Sequence, residues 1–327
     1  LEDGWLRDQA LGLRTYAGML AGEELAYADE VERCYGVRPE LGDTDVYRAV
    51  HEELDRLLPG EGPISERYQA WRSARTIPAG SVLAACREAA AELRAATAGI
   101  VDLPEGEELV IEGVTDEPWW AFNYYLGDLR SRVVVNLDVP TTCRDVVHLA
   151  GHEVYPGHHT EHAVKEHVLI RGQGKLEESI QMVPTPSVVV SEGLAEAGPG
   201  LVRNGDVDER LAAGLRRHGL DYDVRTAEAV AEARRPLRRV SLDAALMIHD
   251  GGASVAEAEE YIAHWSLMTA DEAAHSVSFV VDPAWRAYVV TYSAGRDLCE
   301  RWVQGDPARL ARLLTEQIRV GELVRGA

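Results

Sequence analysis

The chain has 327 residues, with 55 acidic against 33 basic side chains and a formal charge of −22. That balance excludes a nucleic-acid binder, because neutralising phosphates takes an excess of Lys and Arg. With 46% hydrophobic and 27% charged residues the composition is that of a globular chain with a core to bury, and no apolar run approaches the ~18 residues of a membrane span.

Arg carries nearly all the positive charge, since Lys165 and Lys175 are the only lysines. Cys34, Cys86, Cys143 and Cys299 stand at least 50 residues apart and form no CxxC pair. They read as reduced, structural thiols of a cytoplasmic protein. The chain begins at Leu1, so a removed signal peptide is the alternative.

From residue 1 to about 100 the pattern is helical, with apolar residues recurring at three and four, and breaks at Gly36 to Gly42 and Pro59 to Pro63. Residues 108–114 (ELVIEGV) and 132–139 (RVVVNLDV) are β-branched runs bounded by Gly, Pro and Asp, and predict a sheet of two or three strands. From Thr142 the pattern is helical again, with a Pro-rich interruption at 183–187. Helices are expected at about 187–198, 207–219, 222–249, 254–268, 283–303 and 306–320, with N-caps at Asp206 and Asp306 and a stop at Gly251-Gly252. The expectation is a mostly α fold with a small β-sheet. An N-terminal helical region, 1–105, and a region 106–327 bearing the site would form one continuous unit.

Five of the eleven histidines fall between His148 and His162, around His152-Glu153-Val154-Tyr155-Pro156-Gly157-His158-His159. A solvated, His-rich helix face is the bland reading. Neutral imidazoles with an adjacent carboxylate are, however, what zinc and its bound water require. In an H-E-x-x-H helix the two His are four apart and share a face; here the fourth position is Pro156. On a straight helix His158 would lie about 240° round from His152, and His159 roughly 10 Å along the axis. Pro156 and Gly157 therefore predict a kink or bulge. If it absorbs two residues, His158 becomes the second ligand, with His159 the alternative and otherwise facing substrate.

A catalytic zinc keeps three protein ligands and a place for water. Glu192, in Val189-Val190-Ser191-Glu192-Gly193-Leu194-Ala195-Glu196, is the candidate third; Glu196 either orients a ligand or, as preferred, is solvated. Glu153 would be the general base acting on water of lowered pKa. Tyr292 is the candidate neutral donor to an oxyanion, or else a packing residue. Arg296 could hold a substrate carboxylate. Trp119, Trp120, Phe122, Tyr124 and Tyr125 read as core before pocket, and His162 and His167 as exposed.

These residues resemble the bacterial family known as domain of unknown function 885, a branch similar to the zincin-type metallopeptidases. HEVYPGHH at 152–159 matches its HExxPGHH signature, and Glu192-Gly193-Leu194-Ala195 resembles its EGWA segment with Leu for Trp. Asn136 on a strand before the His motif and Tyr292-Ser293-Ala294-Gly295, similar to a Y-x-x-G, add to it. The resemblance spans about residues 120–325. It implies a zincin-like helical fold, a divalent metal and hydrolysis of peptide-like bonds, and gives His249 a counterpart that would face the cleft. The family's Arg-Tyr pair is missing here: Ser278-Phe279 stands ahead of Pro283.

Together these readings give a zinc hydrolase of peptide or amide substrates, with another divalent metal as a variant. The alternatives are a metal-dependent non-peptidase of specialised metabolism, acting on a small molecule, and a metal-free binding or scaffold descendant. Neither nucleic acid nor membrane is expected as a partner. The acidic charge favours neutral or basic substrates.

Overall fold

A computed structural model describes residues 4–326. Five helices come first: α1 (Gly4–Leu20), α2 (Tyr27–Tyr35), α3 (Thr44–Leu57), α4 (Ile64–Ser73) and α5 (Ala79–Thr97). Three strands follow, β1 (Glu108–Val114), β2 (Ala121–Gly127) and β3 (Arg130–Asn136). They form a mixed sheet of order β1-β3-β2, with β3 parallel to β1 and antiparallel to β2. The two-residue turn of the β2–β3 hairpin needs positive φ at both positions, and Asp128 and Leu129 supply 53° and 61°.

The remainder is helical: α6 (Cys143–Glu153), α7 (His158–Lys165), α8 (Pro186–Val202), α9 (Gly205–Arg217), α10 (Val224–Ala233), α11 (Val240–His249), α12 (Val255–Ser266), α13 (Ala270–Val281), α14 (Val290–Val303), α15 (Pro307–Thr315) and α16 (Val320–Arg325). The chain is thus mostly α with a small sheet. Thr142/Asp145, Ser254/Glu257 and Thr269/Glu272 close capping boxes at α6, α12 and α13, each satisfying orphan N–H groups of a first turn. Among the described residues no helix is long and apolar enough to cross a membrane.

Several boundaries differ from the sequence expectation. The stretch 222–249 is interrupted by a 3₁₀ turn at Arg235–Arg239, because Pro236 cannot donate to the helical ladder. The helix expected at 283–303 begins only at Val290, and α9 is capped by Asn204, not Asp206. β2 and α13 are additional to the elements expected from the sequence.

Buried apolar side chains from Tyr27 to Leu323 form one core. The first helices are tied to later ones by buried polar contacts: the Glu30 carboxylate accepts from Arg286 at 2.6 Å and the Tyr47 hydroxyl donates to Asp243. At the centre lies α8, apolar on nearly every side, packed on α14 through two glycines. A Cβ on Gly193 would meet Cys299 Sγ at 2.8 Å, and one on Gly295 would meet Val189 O at 2.5 Å. This close approach brings Glu192 under the Tyr288–Tyr292 stretch.

A methyl group at that crossing must force the helices apart. Gly295→Ala is expected to cost about 1–3 kcal/mol in denaturant unfolding. Gly200→Ala, with nothing within 4 Å of its Cβ, should be neutral or stabilise by about 0.5–1 kcal/mol. Equal effects of the two would show that the crossing is not tight.

Candidate metal centre

The geometry is set by where α6 stops. It ends at Glu153, residues 154–157 form a break containing a cis Tyr155–Pro156 bond, and α7 starts at His158. The expected kink is therefore a full interruption between two helices. Gly157 is required there, since a Cβ would run into the His152 carbonyl, and would lie 2.6 Å from Gly151 O. The new helix turns His158 back towards His152, ring centroids 4.8 Å apart.

Glu192 of α8 completes the group. Its two carboxylate oxygens lie 3.5 Å from His152 Nε2 and 3.4 Å from His158 Nε2. These distances are long for hydrogen bonds. They match the edge of a tetrahedron around a metal, about 3.3–3.6 Å for donor bonds of about 2.0–2.2 Å. Glu192 Oε2 is buried and without a hydrogen-bond partner, so one ligand-competent lone pair is unspent. The donor set of two imidazoles and one carboxylate suits zinc.

Each imidazole is backed by a second carboxylate that a cation holds. His152 Nδ1 lies 3.4 Å from Glu196 Oε1, and Glu196 is in contact with Arg238. His158 Nδ1 lies 3.4 Å from Ser191 Oγ, whose hydroxyl donates to Glu161, which is paired with Lys165 at 2.7 Å. Ser191 Oγ can accept from His158 Nδ1, and His152 Nδ1 makes no hydrogen bond; with a metal bound, each Nε2 would turn a lone pair to it. His148, His152 and Glu196 also cluster their donor atoms. With Arg238 against Glu196, a dication there would face a guanidinium, so we read this cluster as support for His152.

The charges follow from burial and neighbours. Burial raises the Glu192 carboxyl, but His158, His152 and the Tyr288 hydroxyl outweigh it and bring it down to about 2. Burial lowers His158, yet Glu192 lifts it to about 9 in the absence of a metal. Burial lowers His152, and burial with Arg144 and Arg238 nearby lowers His148 well below its usual value.

The group opens on a cleft of about 230 Å³. Glu153, buried beside His152, lines it, and its backbone carbonyl accepts from Asn123 of β2 at 2.6 Å. Tyr292 stands on the same cleft. Its surroundings and the Glu192 and Glu153 carboxylates hold its phenol well above the ordinary value, so it is a neutral donor.

Other expected residues lie elsewhere. His159 is fully buried and turned away, Nδ1 2.8 Å from Ser131 Oγ and Nε2 2.8 Å from Glu107; it is neither ligand nor substrate contact, because the next residue on a helix points about 100° away. His249 bonds Val280 O at 2.8 Å and lies against the Tyr27 ring, centroids 5.0 Å apart, outside the cleft. Arg296 donates to Glu300 at 2.8 Å and, with Arg235, Arg238 and Arg239, lines another cavity, which shares Tyr292 with the cleft. Glu196 is buried rather than solvated. His162 is half-buried on the cleft and pushed down to about 4 by burial; His167 is exposed.

Of the aromatic group only Trp120 packs against the core. Phe122 and Tyr124 are exposed, Tyr125 donates to Glu166, and Trp119 and Trp120 line a larger cavity next to the cleft. Tyr288, whose hydroxyl donates to Glu192 at 2.7 Å, was not singled out. Its signal is the four-residue spacing to Tyr292.

No family model matches the chain, and no curated protein matches it in sequence. Among solved structures it is similar to the crystal structure of "the putative lipoprotein from Colwellia psychrerythraea", at 16% identity and a TM-score of 0.63, over 92% of this chain and 54% of that one. The chain spans about half the length of that protein. At this identity the likeness is one of fold.

Metal content of purified variants checks the ligand set. Wild type should hold one equivalent of zinc, His158→Ala and Glu192→Ala should lose it, and His159→Ala should keep it. Loss in His159→Ala alone would overturn the assignment. Glu196→Gln should weaken affinity about 10–100-fold with the fold intact, as removal of a carboxylate behind a ligand imidazole does.

Proposed function

We propose that the chain is a divalent-metal hydrolase of peptide or amide bonds, related to the domain 885 family, with His152, His158 and Glu192 as ligands. The observation that carries this is the pair of imidazole Nε2 atoms 3.4 and 3.5 Å from one buried carboxylate. A zinc ion held by these residues would supply Lewis acidity and lower the pKa of a bound water towards about 7.

The chain's own residues divide the remaining work. Glu153 takes the proton of the attacking water and returns it to the leaving amine. Tyr292 donates to the oxyanion as the carbonyl carbon becomes tetrahedral. Tyr288 and the two carboxylate-backed imidazoles hold Glu192 and its partners in place. β2 is an edge strand of the sheet, and Ala121, Phe122 and Asn123 border the cleft. Its unpaired side can take an extended peptide as a further strand, which supports a peptide-like substrate. The small volume of the cleft favours short substrates, and equally a small-molecule amide.

Glu153→Gln separates binding from chemistry. It should retain zinc and substrate while hydrolysis of a short-peptide library falls about 10²–10⁴-fold, the usual worth of a positioned acid–base group. Cleavage at the wild-type rate would sink this mechanism. Removing zinc with a chelator should abolish turnover, and zinc addition should restore it.

A further inference from the structure

Next to the metal cleft lies a cavity of about 640 Å³ walled by Trp119, Trp120, Met268 and Phe279. Its size falls within the roughly 300–1,000 Å³ of small-molecule sites, whereas the cleft alone is below it. Tyr292 lines both. The 117–120 loop that forms one wall is held by Asn136, whose side-chain amide donates to Glu117 O at 2.8 Å and Trp119 O at 3.2 Å.

Two guanidiniums, Arg72 and Arg234, and two carboxylates, Asp145 and Glu272, line this cavity, and only one couple is in contact. Glu272 is taken up by Arg72 at 2.6 Å, with Gln69 and the α13 N-terminus also donating to it. Asp145 accepts from Thr142 N and Oγ1 at 3.0 and 2.8 Å in the α6 capping box. His275 sits at the exposed rim. Arg234 is different. Its guanidinium lies over the Tyr68 ring at 4.1 Å, donates to the Tyr68 hydroxyl and to Ser266 O at 3.2 Å, and pairs with no carboxylate among the described residues. Its Nε and the indole N–H of Trp120 are both buried without an acceptor.

A largely buried guanidinium without a counter-ion, set among aromatic and thioether walls, lacks the one group its chemistry calls for. We propose that this cavity binds an organic carboxylate with an aromatic or branched apolar body, the carboxylate on Arg234 and the body between Trp119, Trp120 and Phe279. Resting on the hydrolase reading, the cavity holds one flank of the substrate while the scissile bond passes Tyr292 into the metal cleft. The substrate class is then an acylated or peptidyl apolar amino acid with a free carboxylate.

Calorimetric titration with N-acetyl-phenylalanine and with its carboxamide tests this on the full chain. The acid should bind at least ten-fold more tightly than the amide, in wild type and equally in His158→Ala, which lacks the metal. Arg234→Gln should abolish the difference, with circular dichroism confirming that it is folded, and Phe279→Ala should weaken acid and amide alike. Equal binding of acid and amide by wild type would overturn the proposal. So would an acid preference lost in His158→Ala, since the carboxylate would then have been on the metal. Acid selectivity in a protein with no hydrolytic activity would leave the cavity standing and the hydrolase reading fallen.

Discussion

Glu192 sits in the middle of a helix that is buried on almost every side, and the surroundings of the site follow from that placement. A carboxylate taken out of water costs several kcal/mol unless it is paired and hydrogen-bonded. Two imidazoles and the Tyr288 hydroxyl converge on it, and one turn later Glu196 draws Arg238, one further imidazole, His148, and the other nitrogen of His152 for the same reason. Neither carboxylate can leave without stranding its partners. The Gly193–Gly295 crossing is the backbone side of this constraint, because a wider separation of α8 and α14 would take the Tyr288–Tyr292 stretch out of reach of Glu192.

The break between α6 and α7 solves the second problem, that of aiming two histidines six positions apart at one point. A continuous helix would set them on different faces. Ending α6 after Glu153 and restarting at His158 frees the second imidazole from the first helix's phase. The cost of the break is carried by neighbours: Asn123 bonds the Glu153 carbonyl, Tyr155 bonds Glu107 at 2.7 Å, and His159 bonds Glu107 and Ser131. The second histidine of the pair thus anchors the turn that positions the first.

This division between His158 and His159 marks how far the sequence could be read. The residue types and the Pro-Gly interruption are visible in the chain, and so is the apolar helix carrying Glu192. Which of two adjacent imidazoles faces inward depends on the phase at which α7 restarts, and that is fixed by Ser131 and Glu107, at 28 and 52 positions' remove. Glu196 was legible in retrospect: a helix apolar all round leaves no solvated face for a carboxylate. The Thr269-x-x-Glu272 box and the Ala273, Val277, Val280 stripe announce α13, and both are legible in the chain. His249 bonds Val280, 31 positions on, where spacing carries no information, whereas the Arg296–Glu300 pair is four residues apart on one helix and visible in the chain.

The net charge of −22 had suggested a preference for neutral or basic substrates, and the distribution of charge within the fold weakens that step. Summed charge governs the field outside the protein, which salt screens over about 10 Å. Inside a cavity the unbalanced group counts. Glu192 faces its two imidazoles, and Asp145 and Glu272 are taken up by helix caps and Arg72. Arg234 is what an entering ligand meets unpaired. An acidic protein can therefore present a guanidinium with no carboxylate in contact inside a cavity, and the proposed affinity for a carboxylate follows from that one group against the sign of the whole.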